Sequence, residues 1–278
     1  MWPASPNPGR GFSRENKMAE IIALANQKGG VGKTTTAINL AAGLACLGQD
    51  TLLVDLDPQA NATSGLGFDK NEDAPGAYEN LVEKLPAEKT IKATPVELLD
   101  LMRSSPDLVS AELQLAGEFS RENRLKDCLS GVLDAYSFII IDCPPSLGLL
   151  TLNALAAADK VLVPIQGEYY ALEGLATFLE TIRVCQERLN EGLAIEGAVL
   201  TMYDPRYTLA QQVRGELEKF FGDSLYKTAI PRSVRLAEAP SFGKTIYQYD
   251  AKSKGSESYL ALAGELLARR GWKGMKLN

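Results

Sequence analysis

The sequence predicts an α/β fold: a doubly wound, mostly parallel sheet with helices on both faces. Three observations predict it. Short apolar runs recur along the 278-residue chain without polar alternation, as strands covered on both faces require. Longer segments with apolar residues at helical spacing separate those runs. Two of the runs end in an aspartate, in the position where a parallel sheet gathers ligand-binding groups at its strand ends.

Taken in order, residues 1–17 hold three prolines, two glycines and no apolar period, and read as a disordered tail ahead of a folded unit over 18–278. Residues 21–25 form an apolar strand, followed by a glycine-rich turn. A helix over 34–47 carries Ala37, Ile38, Leu40, Ala41, Leu44 and Ala45 at helical spacing, and Gly48 stops it. Residues 51–54 form a second strand, leading into Asp55-Leu56-Asp57-Pro58. The polar stretch 67–95 reads as loop and short helix. A strand over 98–102 and a mixed-charge helix over 111–133 follow. The run 138–141 has the strongest strand character and ends in Asp142. Beyond it come a helix (149–158), a strand (161–165), a helix (172–189), a strand (198–202), a helix (209–221), a short strand (228–230) and a closing helix (256–269).

Composition bounds the chemistry. Hydrophobic content of 45% and charged content of 23% are those of an ordinary soluble globular protein. The longest apolar stretch, 147–158, contains Thr151 and Asn153, ends at Asp159, and is too short to span a bilayer. No secretory signal precedes the first strand. Cys46, Cys128, Cys143 and Cys185 are scattered without a Cys-x-x-Cys pair, which points to reduced, structural thiols in a cytoplasmic protein. With no histidine in the chain, His-based general bases, Ser-His-Asp triads and His-ligated metals are excluded. Carboxylates, lysines, hydroxyls, backbone dipoles and a hard metal ion remain. The net charge of −6 is uneven: residues 201–278 hold 13 Lys and Arg against 8 Asp and Glu, so they carry +5 and residues 1–200 carry −11. A basic final third permits a local anion-binding face, and a mixed solvated surface fits the same counts.

The most specific signal is Lys28-Gly29-Gly30-Val31-Gly32-Lys33-Thr34-Thr35, between a strand and a helix. It follows the phosphate-loop pattern G-x-x-x-x-G-K-[ST] except that Gln27 stands at the first position. Small residues let successive backbone N–H groups turn toward a phosphate, and the following helix aims its positive end at the same place. Lys33 is placed to reach the β- and γ-phosphates, and the Thr34 hydroxyl to ligate Mg²⁺. Asp142, at the end of an apolar strand, suits contact with Mg²⁺ through water. Of Asp55 and Asp57, the latter lies further beyond its strand and is the better candidate to sit by the metal and orient an attacking water. A second lysine inside the loop, Lys28, need not serve its own nucleotide. It either faces solvent or reaches across a dimer to the partner's phosphates, as an arginine finger does.

These residues resemble the deviant phosphate-loop box of the ParA/MinD ATPases. Val54-Asp55-Leu56-Asp57-Pro58-Gln59, Ile141-Asp142-Cys143-Pro144-Pro145-Ser146, the segment Gln166 to Gly174, Leu200-Thr201-Met202-Tyr203-Asp204 and Ile230 to Leu236 resemble further motifs of the chromosomal ParA branch, often called Soj. The similarity covers about residues 19–270. It implies an ATP- and Mg²⁺-dependent homodimer with Lys28 acting across the interface, and slow hydrolysis stimulated by a ParB-type partner. It also implies sequence-blind binding of double-stranded DNA by the dimer, in the cytoplasm on the nucleoid. Carried over residue by residue, it implies Lys28, Lys33 and Asp57 as catalytic, and Lys28, Gly29, Gly30, Val31, Gly32, Lys33, Thr34, Thr35 and Pro231 as nucleotide-binding. Thr34, Asp57 and Asp142 stand at the metal, and Arg206 and Arg235 face DNA. Lys252 and Lys254 lie in the same basic third, where phosphate contacts would give salt-sensitive binding. The chain departs from the family at Gly167, at Tyr207-Thr208 and at Ser233.

Two other readings share the fold. A MinD-like positioning ATPase ends in a membrane-inserting amphipathic helix. Here the tail after Arg270 offers only Trp272, Met275 and Leu277 around two glycines, so membrane binding is not expected. A metal-cluster relative needs paired cysteines facing across a dimer, and Cys143 has no companion motif.

Overall fold

The structure is a computed structural model that describes residues 18–168 and 171–272. The expected tail over 1–17 lies outside the described residues, as do Met275 and Leu277. In chain order the first half contains β1 (Glu20–Leu24), α1 (Lys33–Cys46), β2 (Thr51–Asp55), α2 (Asn61–Gly65), α3 (Ala77–Val82), β3 (Ile91–Ala93), β4 (Leu99–Met102), α4 (Leu108–Gln114) and α5 (Arg124–Leu129). The second half contains β5 (Phe138–Asp142), α6 (Leu149–Ala157), β6 (Lys160–Gln166), α7 (Ala171–Arg188), β7 (Ala194–Tyr203), α8 (Thr208–Phe221), β8 (Leu225–Pro231), α9 (Val234–Glu238), α10 (Ile246–Tyr249) and α11 (Lys254–Ala268).

The eight strands form one sheet in the order β3-β4-β2-β5-β1-β6-β7-β8. Every neighbouring pair is parallel except β3 with β4. The expected doubly wound, mostly parallel sheet is therefore present. Its strands bury both faces because alternate residues feed two separate cores. Ile21, Ala23, Leu52, Val54, Ile139 and Ile141 point into one, with Leu150, Phe178 and Leu217 from α6, α7 and α8. Ile22, Leu24, Leu53, Phe138 and Ile140 point into the other, with Leu40 and Leu44 of α1 and Leu262 and Leu266 of α11. That is why the strands read as continuous apolar runs.

The sequence differs from the structure in several places, the short helix α2 among them. The helix expected over 111–133 is broken into α4 and α5. Ser120 turns left-handed at φ 52°, and a tertiary contact fixes the break: the Asn153 side chain of α6 donates to the Arg121 carbonyl at 2.9 Å and accepts from the Leu125 N–H at 3.1 Å. The half-exposed edge strand β3 arises within the stretch expected to be loop. The short helices α9 and α10 fall below the length at which a periodic pattern can be seen.

Both edge strands of the sheet are poor templates for a further strand. β3 is three residues long and half-exposed. On the other border the Glu265 carboxylate of α11 accepts the backbone N–H groups of Lys227 and Thr228 at 2.8 and 2.9 Å, occupying donors that edge strand β8 would otherwise present. Below the sheet Arg270 joins β1 to β7, reaching Glu20 at 2.6 Å and Glu196 at 2.8 Å. Among the described residues no helix is long and apolar enough to cross a membrane.

Candidate functional site

Parallel pairing brings the residues singled out in sequence to one border of the sheet. Leu24 of β1 pairs with Asp142 of β5, and Asp142 with Asp55 of β2. The glycine loop leaving β1 thus rises beside two strand-end carboxylates. Gly30 and Gly32 adopt φ 76° and 82°, a left-handed backbone that favours glycine. A Cβ added at Gly29 or Gly30 would meet nothing within 4 Å, so both exposed glycines face open space.

Two tertiary hydrogen bonds and one local one hold the loop, and sequence reasoning assigned none of them. Asn26 donates from Nδ2 to the Pro164 carbonyl at 2.8 Å and accepts the Lys28 N–H at 3.0 Å. The Thr201 hydroxyl of β7 donates to the Val31 carbonyl at 2.8 Å. Met202, next along the strand, sits at φ 50°, a conformation costing a non-glycine residue roughly 1 kcal/mol. Thr201 lies in a motif quoted above, but its partner is 170 residues away.

Lys33 is buried at the start of α1, and its Nζ donates back across the loop to the Lys28 carbonyl at 3.2 Å. Burial pushes the Lys33 amine down from its usual range, against the charges of Asp142, Cys143 and Asp57. Asp142 is fully buried, and neither carboxylate oxygen has a hydrogen-bond partner. Burial first, then the Asp55 carboxylate, raise its pKa well above the ordinary value, opposed by the neighbouring Thr34 hydroxyl. Two orphaned buried oxygens beside a hydroxyl and a lysine suit a hydrated divalent cation.

The two aspartates of the second strand divide. Asp55 is fully buried and accepts the Thr63 N–H and hydroxyl, both at 2.8 Å, and the Asp57 N–H at 3.1 Å. It fixes α2 to the strand end. Asp57 keeps slight exposure and accepts one bond, from Gln59 N–H at 2.9 Å, while Ser104 holds its carbonyl at 2.6 Å.

Lys28 is partly exposed, with Nζ 3.4 Å from Glu168. Pro231 ends β8, three strands from β1, about 14 Å along the border at ~4.8 Å per strand. Arg206 and Arg235 stand beyond the same ends of β7 and β8, in the β7–α8 connection and on α9, both exposed. Hydrogen bonds from Arg206 hold the Asp204 carboxyl down to about 2.

With this geometry in place, likeness to known proteins is informative. A family model described as an AAA domain matches residues 19–195. The sporulation initiation inhibitor protein Soj of Bacillus subtilis (strain 168) is 55% identical over 251 residues, spanning 90% of this chain and 99% of that protein. The chromosome partitioning protein ParA of Myxococcus xanthus (strain DK1622) is 51% identical over 261 residues, spanning 94% and 92%. Among solved structures, cobyrinic acid a,c-diamide synthase from Mycobacterium smegmatis, with a bound ATP analogue and magnesium, aligns at TM-score 0.80 and 35% identity, covering 94% of this chain and all of that one.

Proposed function

The chain belongs to the Soj/ParA family of chromosome-partitioning ATPases, and on that premise we propose that residues 18–278 act as an ATP-driven DNA-segregation switch. The unit binds ATP with Mg²⁺, pairs with a second copy, holds DNA without sequence preference, and lets go when a ParB-type partner stimulates hydrolysis. The observation that carries this reading is the pair of orphaned Asp142 oxygens beside an open glycine loop.

Each residue has a part. Backbone N–H groups of Gly29 to Thr35 cradle the phosphates, and the positive end of α1 adds to the attraction. Lys33 swings from the Lys28 carbonyl to the phosphate oxygens. Its lowered pKa eases that exchange, because desolvated ammonium gains most from a dense anion. Thr34 and Asp142 would hold Mg²⁺, with Asp57 beside it, and the ion would supply neutralisation of the β- and γ-phosphate charge. Asp57, less fully engaged than Asp55, orients the attacking water. Pro231 packs against the adenine. Lys28 leaves Glu168 and completes the partner's site. Arg206 and Arg235 meet DNA phosphates, and the complex works in the cytoplasm on the nucleoid.

The decisive measurement is binding to a random-sequence duplex with ATP, with ADP and with no nucleotide, using Asp57→Ala to accumulate the ATP state. Binding confined to ATP and falling steeply with salt is expected. Equal binding in all three states would sink the switch. Arg235→Glu should still dimerise and lose DNA.

A further inference from the structure

We propose that acidic side chains seated on Arg206 and Arg235 compete with DNA phosphate and hold the affinity of this surface down. This deepens, and rests on, the reading of those arginines as DNA contacts. Arg206 is 84% exposed, yet its guanidinium is taken. Its Nε lies 2.9 and 3.1 Å from the two Asp204 oxygens and its Nη2 2.6 Å from one of them, and its backbone N–H donates to the same carboxylate at 3.0 Å. Arg235 meets two carboxylates from different elements: Nη1 lies 3.1 Å from Glu238 of α9, and Nε 3.5 Å from Asp250 beyond α10. The Tyr249 hydroxyl donates to Glu238 at 3.0 Å, so that carboxylate has an anchor of its own and stays when the arginine turns away. Arg232, Lys244, Lys252 and Lys254, in the same stretch, are exposed and enter no ion pair among the described residues.

The physics follows from what a phosphate would find. Exposed ion pairs are weak, so an arriving phosphate can draw either arginine off its partner. The carboxylate remains a few ångströms away and repels the new anion. A cation that already carries a fixed counter-charge also releases fewer mobile counterions when DNA binds. Each acid therefore lowers affinity and flattens its salt dependence, which keeps the complex easy to dissolve once the dimer parts.

Asp204→Asn and Glu238→Gln keep shape and a hydrogen-bond acceptor while removing charge. Both, singly and together, would be titrated against a random duplex in the Asp57→Ala, ATP-bound background between about 50 and 200 mM salt. About fivefold tighter binding per acid is expected, with the slope of log affinity against log salt steeper by about 0.9 for each. Unchanged affinity, or tighter binding with an unchanged slope, overturns the competitor role. Arg206→Ala and Arg235→Ala run alongside. If neither weakens binding, the DNA reading itself falls and takes this inference with it. If they weaken binding while the acid variants change nothing, only the inference falls.

Discussion

Asp142, placed at the metal in the proposed function, is buried at a cost to the stability of the free protein. Its carboxylate is fully buried with no donor at good hydrogen-bonding geometry, and burial and Asp55 raise its pKa against the opposing Thr34 hydroxyl. A group with a folded pKa above its unfolded value binds more protons in the folded state. Stability is then greatest below the unfolded value, near 4, and declines as pH rises through the folded one. Asp142→Asn should therefore be more stable than the parent at pH 7 in EDTA by on the order of 1–3 kcal/mol, and melt higher. The gap should close toward pH 3.5, and Mg²⁺-dependent ATP binding should be lost. A melting point equal to or below the parent's at pH 7 would contradict this. Thr201 works the other way. Thr201→Val leaves the Val31 carbonyl unpaired and should cost ~1–3 kcal/mol. Because that bond fixes the loop, ATP affinity by titration calorimetry should fall about tenfold with the fold intact by circular dichroism. Lys33, Thr34, Asp57 and Asp142 could be picked out in sequence because phosphate chemistry dictates residue type and spacing. Asn26, Thr201 and Ser104 could not, since each acts through a carbonyl far along the chain and any small polar residue looks alike there.

At the scale of elements, α11 is held at its end by charge as well as by packing. Arg270, just beyond it, bridges Glu20 of β1 and the nearly enclosed Glu196 of β7, joined by Lys160 and by the Tyr226 hydroxyl at 2.6 Å. Burial alone would raise the Glu196 carboxyl, but hydrogen bonds from Arg270 and Tyr226 and the charges of Arg270 and Lys160 outweigh it, and the net shift is downward. Glu20 is likewise lowered against its burial, by hydrogen bonds and charge from Arg270 and Lys160. A lowered folded pKa gives stability that is present above the unfolded value near 4.5 and is lost as pH falls through the folded one. Arg270→Met should cost about 2–4 kcal/mol in urea unfolding at pH 7, and the cost should shrink below pH 4.5. An equal cost at pH 7 and pH 4 would place the effect in packing instead. Elements were legible in proportion to their burial. β5 and α1, with a continuous apolar run and apolar residues at helical spacing, stood out, whereas the break between α4 and α5 is marked locally by Gly117 alone and is fixed by Asn153 in a different helix.

For the whole molecule, the single chain presents every proposed site residue on one border of the sheet, with Lys28 resting against its own Glu168. Lys28→Ala should bind ATP normally, stay monomeric in sedimentation and lose partner-stimulated turnover. Normal stimulated turnover would place Lys28 outside the mechanism. The layered architecture was readable because strand runs and helices alternate, while the antiparallel turn of β3 was not, its three residues carrying no period. The opposite flank has its own consequence. Glu265 takes up two backbone N–H groups of β8, and β3 is only three residues long. Ribbon-to-ribbon growth into fibres is thereby disfavoured at both sides, so two copies of this chain would meet through loops and helices, by contacts that can be dismantled as fast as they turn over.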